Sequence, residues 1–206
     1  GVGDYVGPDS CQTDTDGQCT VEIDSDVAGK TVVTATWGGE LDGVAFDLAD
    51  PAEKTWVDLS IGITPGTDTN AVGDPHTFVV TVKQDDGTSE SAVEGVTPTV
   101  TIEPLASGLE VTDNCALSGT DGSGQCTVVI TSSVTEVYTA NAAVTVTVGG
   151  VEIVRSTSGK SGLEGTGPGT KRYVDAELTL EKDETNEVDD THTFTATLKV
   201  NGVVTE

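Results

Sequence analysis

Four cysteines and two histidines are the side chains in this sequence best suited to binding metal, forming disulfides or acting as nucleophile and base. The cysteines fall in two close pairs, Cys11 with Cys19 and Cys115 with Cys126, each flanking an acidic, glycine-containing turn. Neither pair has the CxxC spacing of a zinc site, and no histidine stands near either one. A redox-active pair needs an electropositive setting that stabilises a thiolate, and these turns are acidic. The expectation is therefore a structural disulfide within each pair. A closed loop of about ten residues gives roughly 2.5–3 kcal/mol in the chain-entropy model. Such pairs persist in oxidising compartments, which points outside the cytosol.

His76 and His192 sit in matching stretches: TNAVGDPHTF from Thr69 to Phe78 returns as TNEVDDTHTF from Thr185 to Phe194. Two histidines at one repeat position belong to different modules and do not make one catalytic centre; hydrogen bonding at a strand start is the plainer role. Asp14 and Asp16 ahead of Gly17 look like the opening of a calcium loop, but a register begun at Gln12 puts Ile23 where an EF-hand needs its bidentate Glu. Weak candidates for calcium held between modules are Asp68, Asp74, Glu184, Asp189 and Asp190, although solvated acidic loops explain them as well. No other cofactor is expected. There is no GxSxG nucleophile elbow and no GxxxxGK phosphate loop. Nothing in the sequence points to an enzyme.

The elements that must position these residues come from the repeat itself. GQCTV at Gly17–Val21 returns at Gly124–Val128, an offset of 107, and KTWVD at Lys54–Asp58 returns as KRYVD at Lys171–Asp175, an offset of 117. With the 116-residue offset of the histidine stretch, this sets a repeat of about 107–117 residues whose length varies in glycine-rich loops. Laid on the chain, it gives the second half of one repeat at 1–55, a whole repeat at 56–172 and the opening strands of a third at 173–206. Both ends would then fall inside repeats. A window onto a longer polypeptide is the expected setting, and a subunit that joins others head to tail by strand complementation is the alternative.

Alternation predicts the strands. Val57, Leu59, Ile61 and Ile63 share one face, as do Val174, Ala176, Leu178 and Leu180 in the copy. Phe78, Val80 and Val82 share another, mirrored by Phe194, Ala196, Leu198 and Val200. Further strands are expected at Val96–Ile102, Cys126–Ile130, Tyr138–Ala142 and Val144–Val148, separated by DDG, TDGSG and VGG turns. About seven short strands in one repeat fit an all-β, immunoglobulin-like two-sheet sandwich. Trp56 and Tyr173, each two residues after a lysine, are expected to pack where one sandwich hands over to the next, with Pro51 and Pro168 stiffening the approach. Stacking against a sugar is the weaker alternative for these rings.

With 35 acidic residues against 9 basic ones, the formal charge is −26. That charge repels nucleic-acid phosphates and anionic lipid, and it hints at a saline habitat. No apolar run is long enough to span a bilayer, and no signal or transit segment follows Gly1, so any export signal is expected upstream or already removed.

TDGQCTVEIDSDVAGKTVVTATW from Thr15 to Trp37 and TDGSGQCTVVITSSVTEVYTANA from Thr120 to Ala142 resemble the TDxxGxxxVxIxS…GxYTVTA stretch of invasin- and intimin-type bacterial immunoglobulin-like domains; the paired cysteines are an addition to that pattern. The resemblance implies surface-displayed tandem modules forming a rigid stalk, adhesin or fibre. The expected partners are neighbouring repeats or identical chains, or a host or surface receptor. The alternative is a glycan- or receptor-binding module of a secreted protein, for which aromatic residues, at 4%, are scarce.

Overall fold

Apolar residues at every second position make a strand that buries one face, and this period is plain in the strands at the middle of the chain, such as His76–Asp85, Gln125–Ser132 and Val137–Val148. The computed structural model describes residues 1–182 and 184–204. The first segment holds β1 (Asp4–Tyr5) paired with β2 (Ile23–Asp24), then a long hairpin of β3 (Gly29–Leu41) and β4 (Val44–Trp56). Asp42 and Gly43 close that hairpin with φ of 51° and 82°, the doubly positive turn that an Asp-Gly pair favours.

The central segment runs through β5 (Asp58–Thr64), β6 (Thr67–Ala71), β7 (His76–Asp85), β8 (Glu90–Ala92), β9 (Thr99–Glu103), β10 (Leu109–Asp113), helix α1 (Asn114–Ser118), β11 (Gln125–Ser132), β12 (Val137–Val148), β13 (Val151–Ser156) and β14 (Gly169–Val174). One sheet has the order β10-β11-β7-β5, with β8 added on β7. The other has the order β13-β12-β14-β6, with β9 on the other side of β12 and β6 parallel to β14. The chain closes with β15 (Ala176–Leu180), β16 (Ala196–Val200) and β17 (Val203–Val204) in a three-stranded antiparallel sheet.

The two central sheets share one core. Leu59, Ile61, Ile63, Phe78, Val80, Val82, Val128 and Ile130 come from the first sheet. Ile102, Tyr138, Ala140, Ala142, Val144, Val148, Ile153 and Tyr173 come from the second. Each large aliphatic side chain buried there contributes roughly 1.5–3 kcal/mol of transfer free energy. At Gly169 the sheets come so close that an added Cβ would lie 2.6 Å from Phe78 and 2.8 Å from Ile63.

Tyr138–Ala142 and Val144–Val148, expected as two strands, form the single strand β12. Nothing between them breaks the alternation, and Ala143 pairs with Thr99 on one side and Ser156 on the other. The strand expected from Val96 begins only at Thr99, after Pro98. In the central segment β6, β8, β10, β13, β14 and α1 were not foreseen; Asp113 caps α1 by accepting from the Ala116 amide. The boundary expected after residue 172 falls inside β14, which runs on to Val174 because Tyr173 belongs to the core.

The gap between the repeat offsets also has a structural origin. Ala143 of β12 pairs with Ser156 and Ala140 pairs with Gly169, so three residues of β12 face thirteen on the other side, ten of them surplus. The β3–β4 hairpin has no such excursion and pairs without a break from Gly29↔Trp56 to Leu41↔Val44. The surplus residues fold back onto β5, the outer strand of its sheet. The Ile61 amide donates to the Ser161 carbonyl (2.8 Å), the Thr166 amide to the Ile61 carbonyl (3.2 Å), and the Ile63 amide to Thr166 Oγ1 (2.8 Å). Backbone groups that would otherwise be an open sheet edge are thereby satisfied.

Both expected disulfides are present. Cys11–Cys19 lies in the exposed irregular stretch between β1 and β2, and Cys115–Cys126 ties α1 to β11 with both cysteines buried. Replacing Cys115 and Cys126 together by Ala is expected to cost the central segment roughly 2.5–3 kcal/mol or more, through loop closure and lost packing. Replacing Cys11 and Cys19 should leave that segment's unfolding transition unmoved. Urea titrations followed by circular dichroism check both expectations.

Candidate functional site

The most concentrated polar chemistry of the central segment is a cluster formed where β6 runs parallel to β14. That pairing sets Lys171 opposite Asp68. Lys171 is fully buried, and its Nζ lies 2.6 Å from Asp68 Oδ2 and 5.7 Å from the centre of the Tyr173 ring. His76, the first residue of β7, brings Nδ1 to 3.1 Å from the same carboxylate oxygen and packs edge-on against Phe78 at 4.5 Å. Asp68 remains half-exposed, so the cluster is a buried lysine capped by a carboxylate at the surface.

The hydrogen bond from Lys171, followed by the Thr69 amide, holds the Asp68 carboxyl below its ordinary range. Burial, reinforced by the neighbouring Lys171 charge, pushes His76 below its ordinary 6.5, and Asp68 only partly offsets this. His76 Nε2 is buried without a hydrogen-bond partner, which also favours the neutral ring. Burial drives the Tyr173 phenol up to about 12. This tyrosine is a neutral donor to the Ile130 carbonyl at 2.9 Å, with its ring edge-on to Tyr138 at 6.0 Å. The arrangement fixes strands and offers no nucleophile poised beside a base.

A second polar centre, formed by Asp58 and Arg155, was missed by sequence reasoning. Burial pushes the Asp58 carboxyl up, but the Arg155 hydrogen bond and the Leu163 and Leu59 amides outweigh it and hold the group below its usual range. The pair ties β5 to β13 and, through Leu163, to the excursion. Asp58 and Asp175 recur in the KTWVD and KRYVD stretches, which was the available signal; nothing in the sequence named Arg155 as the partner.

The remaining candidates are spread out. Trp56 ends β4, half-buried, with its indole N–H donating to Thr31 Oγ1 at 2.8 Å and Lys54 Nζ 5.6 Å from its ring centre. Pro51 lies within β4 opposite Thr34, and Pro168 is exposed just before β14. Asp74 donates its amide to Ala71 in an exposed turn. Glu184 lies 3.9 Å from His192; between them Asp189, at φ 70°, sits in a turn that the Asp190 amide closes by donating to the Glu187 carbonyl at 3.2 Å. Among the described residues no three His, Cys, Asp or Glu side chains come together as a metal site, so the weak calcium candidates are not gathered around one point. Asp14 is occupied locally, accepting from the amides of Asp16 and Gln18, both at 2.9 Å.

No family model, curated protein or solved structure matches the chain. No helix among the described residues is long and apolar enough to cross a membrane.

The unfolded chain takes up a proton at His76 near pH 6.5, whereas the folded chain resists it. The stability that neutral His76 supports is full above about pH 6.5 and is lost as the pH falls below that value towards the lowered folded pKa. The urea midpoint of the central segment should therefore drop between pH 7.5 and pH 5, above the range where most carboxylates titrate. His76→Gln should flatten that slope, and an unchanged slope would remove His76 from the account.

Proposed function

We propose that this chain is a stretch of tandem immunoglobulin-like sandwich modules serving as a load-bearing stalk or fibre outside the cell, on a microbial surface, without catalysis. The observation that carries the reading is that local hydrogen-bond devices recur at the repeat offsets. Asp14 and Asp121 each accept two amides from the turn that follows, with Gln18 and Gln125 in matching roles. The Ser25 hydroxyl donates to the Val27 carbonyl at 2.7 Å, and the Ser132 hydroxyl to Val134 at 2.8 Å. The Asn70 side chain donates to the Pro75 carbonyl at 3.1 Å, and Asn186 to Thr191 at 3.2 Å. The edge-on His76–Phe78 contact has a counterpart in His192–Phe194 at 4.4 Å. Side-chain turns of this kind are set by residue identity and spacing, so their return supports one fold used repeatedly.

The joints suit a mechanical role. Only Val57 separates β4 from β5, and only Asp175 separates β14 from β15. At the first joint an added Cβ on Gly87, in the β7–β8 turn, would lie 2.6 Å from Thr55 and 2.8 Å from the Trp56 carbonyl oxygen, so that turn is pressed against the end of β4. A one-residue joint with such a contact behaves as a stiff coupling, unlike a flexible linker. The two disulfides fit an oxidising, extracellular setting.

Pulling single molecules by their two ends tests the mechanical reading. The central segment should rupture in one cooperative event. Reducing agent should lengthen its extension by the 11-residue span closed by Cys115–Cys126, on the order of 40 Å. Gradual extension without a rupture peak would sink the load-bearing role.

A further inference from the structure

We propose that Lys171 and Asp68 are a modification site of the chain itself: the Lys171 amine condenses once with the Asp68 carboxyl to an amide, releasing one water and joining β14 to β6 covalently. The inference goes beyond the load-bearing reading above and does not require it.

The fold places the reacting atoms. Parallel pairing sets Lys171 directly opposite Asp68, although 103 residues separate them in sequence. Lys171 Nζ lies 2.6 Å from Asp68 Oδ2, and the lysine side chain is 0% exposed. His76 Nδ1 lies 3.1 Å from the same oxygen, while its Nε2 is buried and unpartnered, which leaves Asp68 as the polar partner of the ring. Distance alone does not single out this pair. Lys30–Glu53 and Lys83–Glu90 are also 2.6 Å apart, but those lysines are 46% and 41% exposed, so water solvates their ammonium groups. Burial closes Lys171 to any outside substrate, and the electrophile within its reach is the Asp68 carboxyl carbon of its own chain. Holding an amine and a carboxyl in contact turns a bimolecular encounter into a step within one folded molecule, which is the main source of rate for such a condensation.

The step balances without a co-reactant. Nζ forms a bond to Asp68 Cγ as the bond from Cγ to Oδ2 breaks. Of the ammonium protons, two pass to Oδ2, which leaves as water, and one stays on the amide nitrogen. His76 sits beside Oδ2, where it holds that oxygen in place and steadies the charge gathered on it. Asp68 is half-exposed, so the water has a way out. The hydrogen bonds that keep Asp68 ionised oppose the step and make it slow, but the link need form only once in each chain. Its product replaces a buried ion pair with a neutral amide.

The intact mass of the full chain, denatured and with both disulfides reduced, tests the bond whether or not any variant folds. After incubation in the folded state, the wild-type chain should weigh one water less than its sequence requires. Proteolysis should then yield a branched peptide joining the Asp68 and Lys171 segments. Lys171→Met, which fills similar space without a charge, and Asp68→Ala should keep the full mass. His76→Gln should lower the linked fraction reached in a fixed time several-fold. An Asp-Gly turn such as Asp42-Gly43 also loses water when it cyclises to a succinimide, but mild alkali reopens that ring and leaves the amide intact. A wild-type chain of full mass, or a water loss that alkali reverses or that persists in Lys171→Met, overturns the proposal. In linked molecules the residues between Asp68 and Lys171 are shielded from a pull on the chain ends, so the rupture expected above belongs to the unlinked Lys171→Met chain. If that chain ruptures cooperatively while the wild type keeps its full mass, the bond falls and the load-bearing reading stands.

Discussion

The burial of one face of β5 and β7 against β12 and β13 is the contact on which the central segment depends. It removes six wholly buried or nearly wholly buried side chains of the first sheet from water: Leu59, Ile61, Ile63, Phe78, Val80 and Val82. It also dictates backbone detail, since Gly169 must lack a side chain for β14 to pass over Phe78 and Ile63. Two sheets packed face to face keep mostly apolar residues on inward positions, and the alternating burial of β7, β11 and β12 follows that rule, with His76 and Ser132 as buried polar residues at strand ends. Cys115–Cys126 then fastens α1 to the same core, shortening the unfolded chain's loops without adding any burden to the sheets.

Against that apolar background, Lys171 is the costliest residue to bury. A fully buried ammonium is tolerable because Asp68 reaches it from the surface and the Tyr173 ring lies close by. Such a pair contributes little net stability after desolvation, while the lysine left alone would be strongly unfavourable. Its effect is better understood as selection of register. Parallel pairing of β14 with β6 has no hairpin to align it, and a slip by one residue would point Lys171 out and strand Asp68 and His76. His76, kept neutral by burial, completes the arrangement at the start of β7.

Local patterning made much of this legible in the sequence. The inward faces Leu59-Ile61-Ile63 and Phe78-Val80-Val82, the doubly glycine-rich turn at Gly149–Gly150 and the cysteine pairs all follow from spacing and residue type. What escaped depends on contacts distant in sequence. Asp68 was visible as a carboxylate but not as the partner of a lysine 103 residues away. Tyr173 was visible as a recurring aromatic at a joint, but the same residue also fills the core of the segment it ends, because β14 extends past the expected boundary. The 107 and 117 offsets recorded that ten residues had been inserted; only the register of β12 located the insertion between β13 and β14 and directed it onto β5.

That insertion also closes an edge of the fold. Strand β5 is covered along its outer edge by residues 161–166, so the central segment is closed to further strand pairing there. The β3–β4 hairpin pairs without that excursion. Ten residues that the sequence records only as a difference between two offsets are therefore what satisfies the backbone along an outer strand of the central segment.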